Sequence, residues 1–297
     1  HRRVLETHEE MGMDGLKNIN VLTTFHKEGL ELYGQRFLDS FAKNVDKKIK
    51  LLVYAEECDP INPDPDQITI LDARQVLPKL NAFKSIWHNI PKANGIPPDD
   101  IKARRPRDWH KEFKWHAIRF SNKVYAVFDA CERSKDWCVW MDADTFVHSN
   151  WTYNDFKNLL PEDKWITYVG RGKGSQTWPE CGFYGLNMNN DMCKYFLSEF
   201  ERYYTDAEQG IFTLEEWHDS FVFGHLLNKC KERDQNVLDY SAEMYMREAK
   251  TGGGGHPIIN GPLGRWIDHM KGARKNTGKS QRKDLMVNRT EAYWNEI

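Results

Sequence analysis

The strongest constraint on the fold lies close to the N-terminus. The run Ile19-Asn20-Val21-Leu22-Thr23-Thr24-Phe25 is apolar and rich in strand formers. After it, Leu30, Tyr33, Phe37, Phe41 and Val45 recur at helical spacing and make one apolar face. Ile49 to Tyr54 then reads as a second strand. Strand, helix and strand in that order imply a right-handed βαβ unit, and such a unit requires a parallel sheet. Pro60, Pro63 and Pro65 mark a loop before a third short strand, Gln67 to Leu71. The expected fold class is therefore α/β, with a mixed, mainly parallel central sheet flanked by helices.

Further along, residues 88–108 are rich in Pro, Lys and Arg and read as a connection. A long helix is expected from Asp108, as N-cap, to Glu132. Trp109, Phe113, Ala117, Phe120, Val124, Val127 and Cys131 share one of its faces, and Arg119 and Lys123 share another. The strand Trp137 to Met141 follows. Beyond it, strands are expected at Lys164 to Val169 and Gly182 to Met188, with a loop at Gly170 to Gly174 between them. Helices are expected at Met192 to Tyr204 and Glu215 to Lys229. The glycine run within Thr251 to Pro257 suits a hinge or lid, or a surface loop.

Composition narrows the function. The 297 residues suffice for one large domain or two small ones, and 40% hydrophobic with 29% charged is a globular balance. The 11 Trp exceed what a core needs, and extra Trp often lines sites for flat rings or sugars. A formal net charge of −2 argues against a nucleic-acid partner. The charge is uneven, however: Lys271 to Lys283 is basic without an acid, a solvated tail or a phosphate-binding end. Cys58, Cys131, Cys138, Cys181, Cys193 and Cys230 form no C-x-x-C pair, so free buried thiols in a cytoplasmic, reducing setting are expected. The Asn288-Arg289-Thr290 sequon then carries no meaning. No apolar run approaches the ~20 residues that span a bilayer. Residues 1–18 read as a polar N-terminal arm without a signal-peptide pattern.

The chemistry concentrates where Trp137-Cys138-Val139-Trp140-Met141 ends in Asp142-Ala143-Asp144. Carboxylates at i and i+2 of extended backbone point to the same side. Their oxygens suit hard cations such as Mg²⁺ or Mn²⁺, which leave positions open for phosphate oxygens. The carboxyl ends of strands in an open α/β sheet are where ligands bind.

At this D-x-D the chain resembles the GT-A type nucleotide-sugar glycosyltransferases, in which the motif binds the metal that bridges a nucleotide diphosphate. A second stretch, His269-Met270-Lys271-Gly272-Ala273-Arg274-Lys275, is similar to the H-x-x-G-x-x-K motif of glycogenin-like enzymes. A third, Trp178-Pro179-Glu180-Cys181, resembles their W-P-x-C stretch. The Asn-Ser-Gly that follows it in the family is replaced here by Gly182-Phe183-Tyr184-Gly185, and the Pro-Trp after the motif lysine is missing, as in a divergent branch. The resemblance implies a metal site of Asp142, Asp144 and His269. It implies donor contacts from Ala143, from Gly272 approaching the diphosphate, and from Lys275 neutralising it. Arg119 and Lys123 could assist the leaving phosphate or belong to a solvated helix face; Arg171 and Lys173, which flank glycines, are candidates for a further phosphate contact. Thr23, Thr24 and Phe25 end the first strand and are candidates for the base. Asp219, ahead of Glu216, is expected below the sugar, against helix-start capping as the plainer role. Trp178, Trp217 and His218 are expected to line the sugar.

By the same resemblance, residues 19–145 form the nucleotide-binding half, 146–275 the acceptor-binding half, and 276–297 a basic C-terminal tail. The implied activity is Mn²⁺- or Mg²⁺-dependent transfer of a hexose from a nucleotide-diphospho-sugar, UDP-linked by expectation, to a glycan, lipid or protein hydroxyl. The H-x-x-G-x-x-K motif leans towards retention. The alternatives are a nucleotidyltransferase, for which Thr24 to Gly29 makes a poor phosphate loop, and a non-catalytic binder of an anionic polymer.

Overall fold

The computed structural model describes residues 16–173, 178–244 and 256–297. Thr251 to Gly255 of the expected hinge, and Gly174 of the expected loop, lie outside the described residues.

The chain begins with strand β1 (Ile19–His26) and a helix over residues 27–44, α1. This helix contains a π-turn at Leu30–Gly34 before its regular part, Gln35–Asn44. Strands β2 (Lys50–Glu56) and β3 (Ile68–Asp72) follow. Helices α2 (Pro78–Trp87) and α3 (Ala117–Glu132) lead to β4 (Trp137–Met141) and the short β5 (Thr145–Val147). The second half contributes β6 (Ile166–Val169), β7 (Glu180–Asn187), α4 (Asp191–Thr205), α5 (Asp219–Lys231), β8 (Val237–Asp239) and β9 (Ile267–His269).

The main sheet has seven strands in the order β3-β2-β1-β4-β7-β6-β8. β1 pairs in parallel with both β2 and β4, and β8 in parallel with β6. β7 is antiparallel to its neighbours β4 and β6. The expected mixed, mainly parallel sheet is thus what the chain adopts, and both halves contribute strands to it. Strand alternation divides the core into two layers. Trp137, Val139 and Met141 face Phe37, Leu38 and Phe41 of α1, while Cys138 and Trp140 face the layer of α3, α4 and α5.

Three boundaries differ from expectation. The helix expected from Asp108 begins at Ala117, where the His116 side chain accepts the Arg119 N–H. Asp108 caps nothing, because Arg105, Lys111 and Lys114 claim its carboxylate. Trp109 and Phe113 stay 39% and 43% exposed rather than joining the apolar stripe. The helix expected from Glu215 begins at Asp219. The Trp217 N–H is drawn to the Lys114 carbonyl at 2.7 Å, which holds that stretch out of helical conformation. In α1, Gly34 passes so close to Phe25 that a Cβ would stand 3.1 Å from its ring. The π-turn ends at this contact. Val45 lies beyond the helix, extended and bridged to Trp151.

The segment expected as a basic tail is packed onto the body. Asp268, fully buried on β9, accepts the Ser280 N–H (2.8 Å), the Ser280 hydroxyl (2.6 Å) and the Tyr293 hydroxyl (2.6 Å). Tyr293 stacks on His148 at 4.4 Å, and Trp294 is buried. The six cysteines are free. Among the described residues, no helix is long and apolar enough to cross a membrane.

Candidate functional site

The sheet order reverses direction between β1 and β4, and this switch point is where open α/β sheets hold ligands. β4 delivers Asp142 there, and the Asp142 N–H donates to the Gly182 carbonyl at 2.9 Å. Three residues on, β5 begins and pairs antiparallel with β9, which sets Thr145 opposite His269. The Met270 N–H donates to the Asp144 carbonyl at 2.8 Å and fixes the join. Residues about 125 apart in sequence therefore meet by strand pairing. Asp142, Asp144 and His269 each offer one ligand atom, all within 4.8 Å of one another. His269 Nε2 stands 3.2 Å from Asp142 Oδ2 and 3.1 Å from Asp144 Oδ1.

The charges in this cluster are strongly coupled. Burial would push the Asp142 carboxyl up, but Lys123 and His269 outweigh it and hold Asp142 below the usual carboxylate range. Burial would push His269 down, yet Asp144 and Asp142 raise it to about 10. The two carboxylates thus favour positive charge at this position, and the imidazole would have to give up its proton to ligate a metal. Asp144 Oδ1 is buried and, although 3.1 Å from His269 Nε2, is not aligned for a hydrogen bond with it. Such an oxygen is costly unless something further occupies its lone pairs. Two hard oxygens and an imidazole are a donor set that fits Mn²⁺ or Mg²⁺.

Other side chains are organised around this cluster. The Trp140 indole N–H donates to Asp142 Oδ1 at 2.8 Å. Lys123 of α3 donates to the Cys181 carbonyl at 2.6 Å. Its Nζ also stands 2.7 Å from Asp219 Oδ2 and 3.5 Å from Asp142 Oδ1. It therefore bridges two carboxylates and is not the solvated helix residue of the plainer expectation. Lys275 Nζ is 3.4 Å from Asp144 Oδ2 and only partly covered. Gly272 has φ +65°, with no atom within 4 Å of a Cβ built there, so the backbone is open on that side. Ala143 is buried between the two aspartates.

The other expected residues have varied surroundings. Thr23 and Phe25 are buried in the core by strand alternation and offer no surface to a donor. Thr24 lies near the C-terminal end of the interior strand β1, its hydroxyl 2.7 Å from both the Tyr54 carbonyl and Glu56 Oε2. Arg119 is exposed. Glu216 is bound by Arg105 at 3.0 Å and His218 at 3.1 Å, with Lys114 at 3.7 Å, so its carboxylate is already spent. Asp219, at the first position of α5, stays connected to the cluster through Lys123. Arg171 pairs with Glu180 at 3.3 Å. Trp217 is buried in the core. Lys173 is largely exposed, with Glu243 at 3.8 Å.

Two residues of the site were not foreseen. Glu180, at the start of β7, is buried between Lys271 at 2.8 Å and Arg171. Burial works against its charge, but Lys271 and Arg171 win and hold it at about 2. Tyr33, in the π-turn, lies under Lys275 with Nζ 5.4 Å from its ring centre. Burial and the negative charge of Asp144 and Asp142 push its phenol up to about 12. Glu180 occupies the variable position of W-P-x-C, so the motif gave it no weight. Tyr33 was assigned to an apolar helix face, and a π-turn leaves no periodic signal.

No family model matches the chain, and no curated protein matches it. Among solved structures it is similar to mouse xyloside xylosyltransferase 1 in its apo form, with TM-score 0.42 and 9% identity over 74% of this chain and 83% of that one. It is also similar to the apo bifunctional glycosyltransferase WbbM, with TM-score 0.42 and 12% identity over 75% of this chain and 38% of that one. Likenesses this distant carry no function across.

Proposed function

We propose that the chain is a metal-dependent glycosyltransferase that moves a hexose from a nucleotide-diphospho-sugar, UDP-linked, to an acceptor hydroxyl. The observation that carries this reading is the cluster of Asp142, Asp144 and His269 at the switch point, with the buried Asp144 Oδ1 lacking a hydrogen-bond partner. Asp142, Asp144 and His269 would hold a divalent cation, which would supply positive charge against a departing diphosphate. Lys275, 3.4 Å from Asp144 and partly exposed, adds a second positive charge on the same side. The open backbone at Gly272 permits close approach of a phosphate group. Asp219, kept near the cluster by Lys123, serves at the sugar. In inversion it takes the acceptor proton, and in retention it steadies positive charge developing on the ring. Retention is the preferred outcome, on the motif resemblance. Six unpaired cysteines support a reducing, cytoplasmic setting.

A nucleotidyltransferase fits less well. β1 runs directly into α1, with His26 Nδ1 accepting the Gly29 N–H at 3.1 Å, and this leaves no room for a phosphate-cradling loop. A polymer-binding role for the basic run is weakened because Lys271 and Arg274 are already paired with Glu180 and Asp284.

The test is a panel of nucleotide sugars with Mn²⁺ and with Mg²⁺, measuring released nucleotide. At least one donor should be hydrolysed in a metal-dependent way, and Asp142→Asn and Asp144→Asn should each abolish it. Parent-level release by both variants refutes the metal site.

A further inference from the structure

Four aromatic rings surround His218 at the entry to α5. Trp178 stands edge-on at 4.6 Å between ring centres, with Phe113 at 5.7 Å, Phe120 at 6.0 Å and Phe221 at 6.1 Å. A core cluster would bury all four. Here Phe113 is exposed, the other three are half-buried, and only His218 beneath them is buried. The imidazole is tied to Glu216 at 3.1 Å, and Glu216 holds Arg105. Lys114 Nζ stands 5.5 Å over the Trp178 ring. The rings therefore roof a buried ionic network and remain partly open to solvent.

The patch adjoins the candidate site. Asp219 follows His218 in sequence and reaches the metal cluster through Lys123. On α3, Phe120 and Lys123 are three residues apart and share a face. The composition of the patch decides what it suits. A lipid tail would cover the exposed guanidinium of Arg119, which stands 5.7 Å over the Phe120 ring, without offering it hydrogen bonds, which is costly. A pyranose has one C–H face for aromatic rings and hydroxyls for the polar groups between them.

We infer that Phe113, Phe120, Trp178 and Phe221 form the acceptor platform, and that the acceptor is a saccharide whose C–H face packs on these rings beside Asp219. This deepens the glycosyltransferase reading and rests on it.

The test uses saturation-transfer NMR of the full chain in EDTA, without donor, against methyl pyranosides and malto-, cello- and xylo-oligosaccharides. Dodecyl phosphate and a serine-rich peptide form the competing arms. A saccharide should bind saturably, and Phe113→Ala and Trp178→Ala should each weaken it about three- to tenfold. Tyr195→Ala, which removes a comparably exposed ring (40%) on α4, should leave binding unchanged. Phe113→Leu, checked by circular dichroism, separates loss of the ring from loss of the fold and should weaken binding like Phe113→Ala. No saccharide binding, parent-level binding by a folded Phe113→Leu, or preference for the lipid or peptide probe overturns the inference. Metal-dependent nucleotide release by the parent protein involves no acceptor, so failure of the donor reading appears separately.

Discussion

Replacing Lys123 by Met keeps most of the side-chain volume and removes only the ammonium group. The Lys123 side chain is 14% exposed, and it faces Asp219, at 6%, and Asp142, at 27%. Among the described residues it is the cation that stands on Asp219. Breaking a buried pair from one side leaves a buried charge uncompensated, at a cost of about 3–5 kcal/mol. The contribution through Asp142 is smaller, because that carboxylate is partly solvated and also faces His269. A loss near the lower end, about 3 kcal/mol, is therefore expected for Lys123→Met in EDTA at pH 7. Urea unfolding with a fixed m-value measures it. Saturating Mn²⁺ should recover part of the loss, since a bound cation returns positive charge to Asp142 and stabilises the folded state that binds it. A loss below about 1 kcal/mol, or no recovery with Mn²⁺, refutes the view that Lys123 couples the two carboxylates.

Three further outcomes are expected. Glu180 is held at about 2 against an ordinary 4.5, so its stabilisation is complete above pH 4.5 and disappears as pH falls towards 2. Glu180→Gln should then lose at most about 3 kcal/mol at pH 7. In urea titrations the gap from the parent should close below pH 4.5, and a gap unchanged down to pH 3 contradicts the assignment. In Gly182→Ala, the new Cβ would stand 2.7 Å from the Ile258 side chain and 3.1 Å from the His269 ring. Mn²⁺ affinity by calorimetry should fall about tenfold or more, with about 1–3 kcal/mol of overpacking cost. Truncation after Lys279 removes the partners of Asp268 and the buried Trp294, whose loss alone costs about 3–5 kcal/mol. The shortened chain should melt far lower than the parent, and an unchanged melting temperature would mean the segment is a dispensable tail.

The sequence was legible where one periodicity ruled. β1, the regular part of α1 (Gln35–Asn44) and β2 each follow a single hydrophobic pattern, and their order dictates a parallel sheet. It was illegible where a side chain had two possible partners. Asp108 reads as a helix cap, but Arg105, Lys111 and Lys114, three to six residues away, take its carboxylate, and the sequence offers both roles without choosing between them. Glu216 and Asp219 look equivalent in sequence, three residues apart at a helix entry. Their difference comes from Arg105 and Lys114 on one side and Lys123 on the other, all remote in sequence. The same holds for the aspartate pair. Asp142 and Asp144 are adjacent in motif, yet the strand turns between them. Asp142 meets Lys123 and the indole of Trp140, whereas Asp144 meets Lys275 and keeps a buried oxygen without a hydrogen bond. Asp142 is thus held by directed hydrogen bonds, whereas Asp144 faces the charges of His269 and Lys275 without one to its buried oxygen. That asymmetry suits a centre that must hold a cation firmly from one side while a ligand enters from the other.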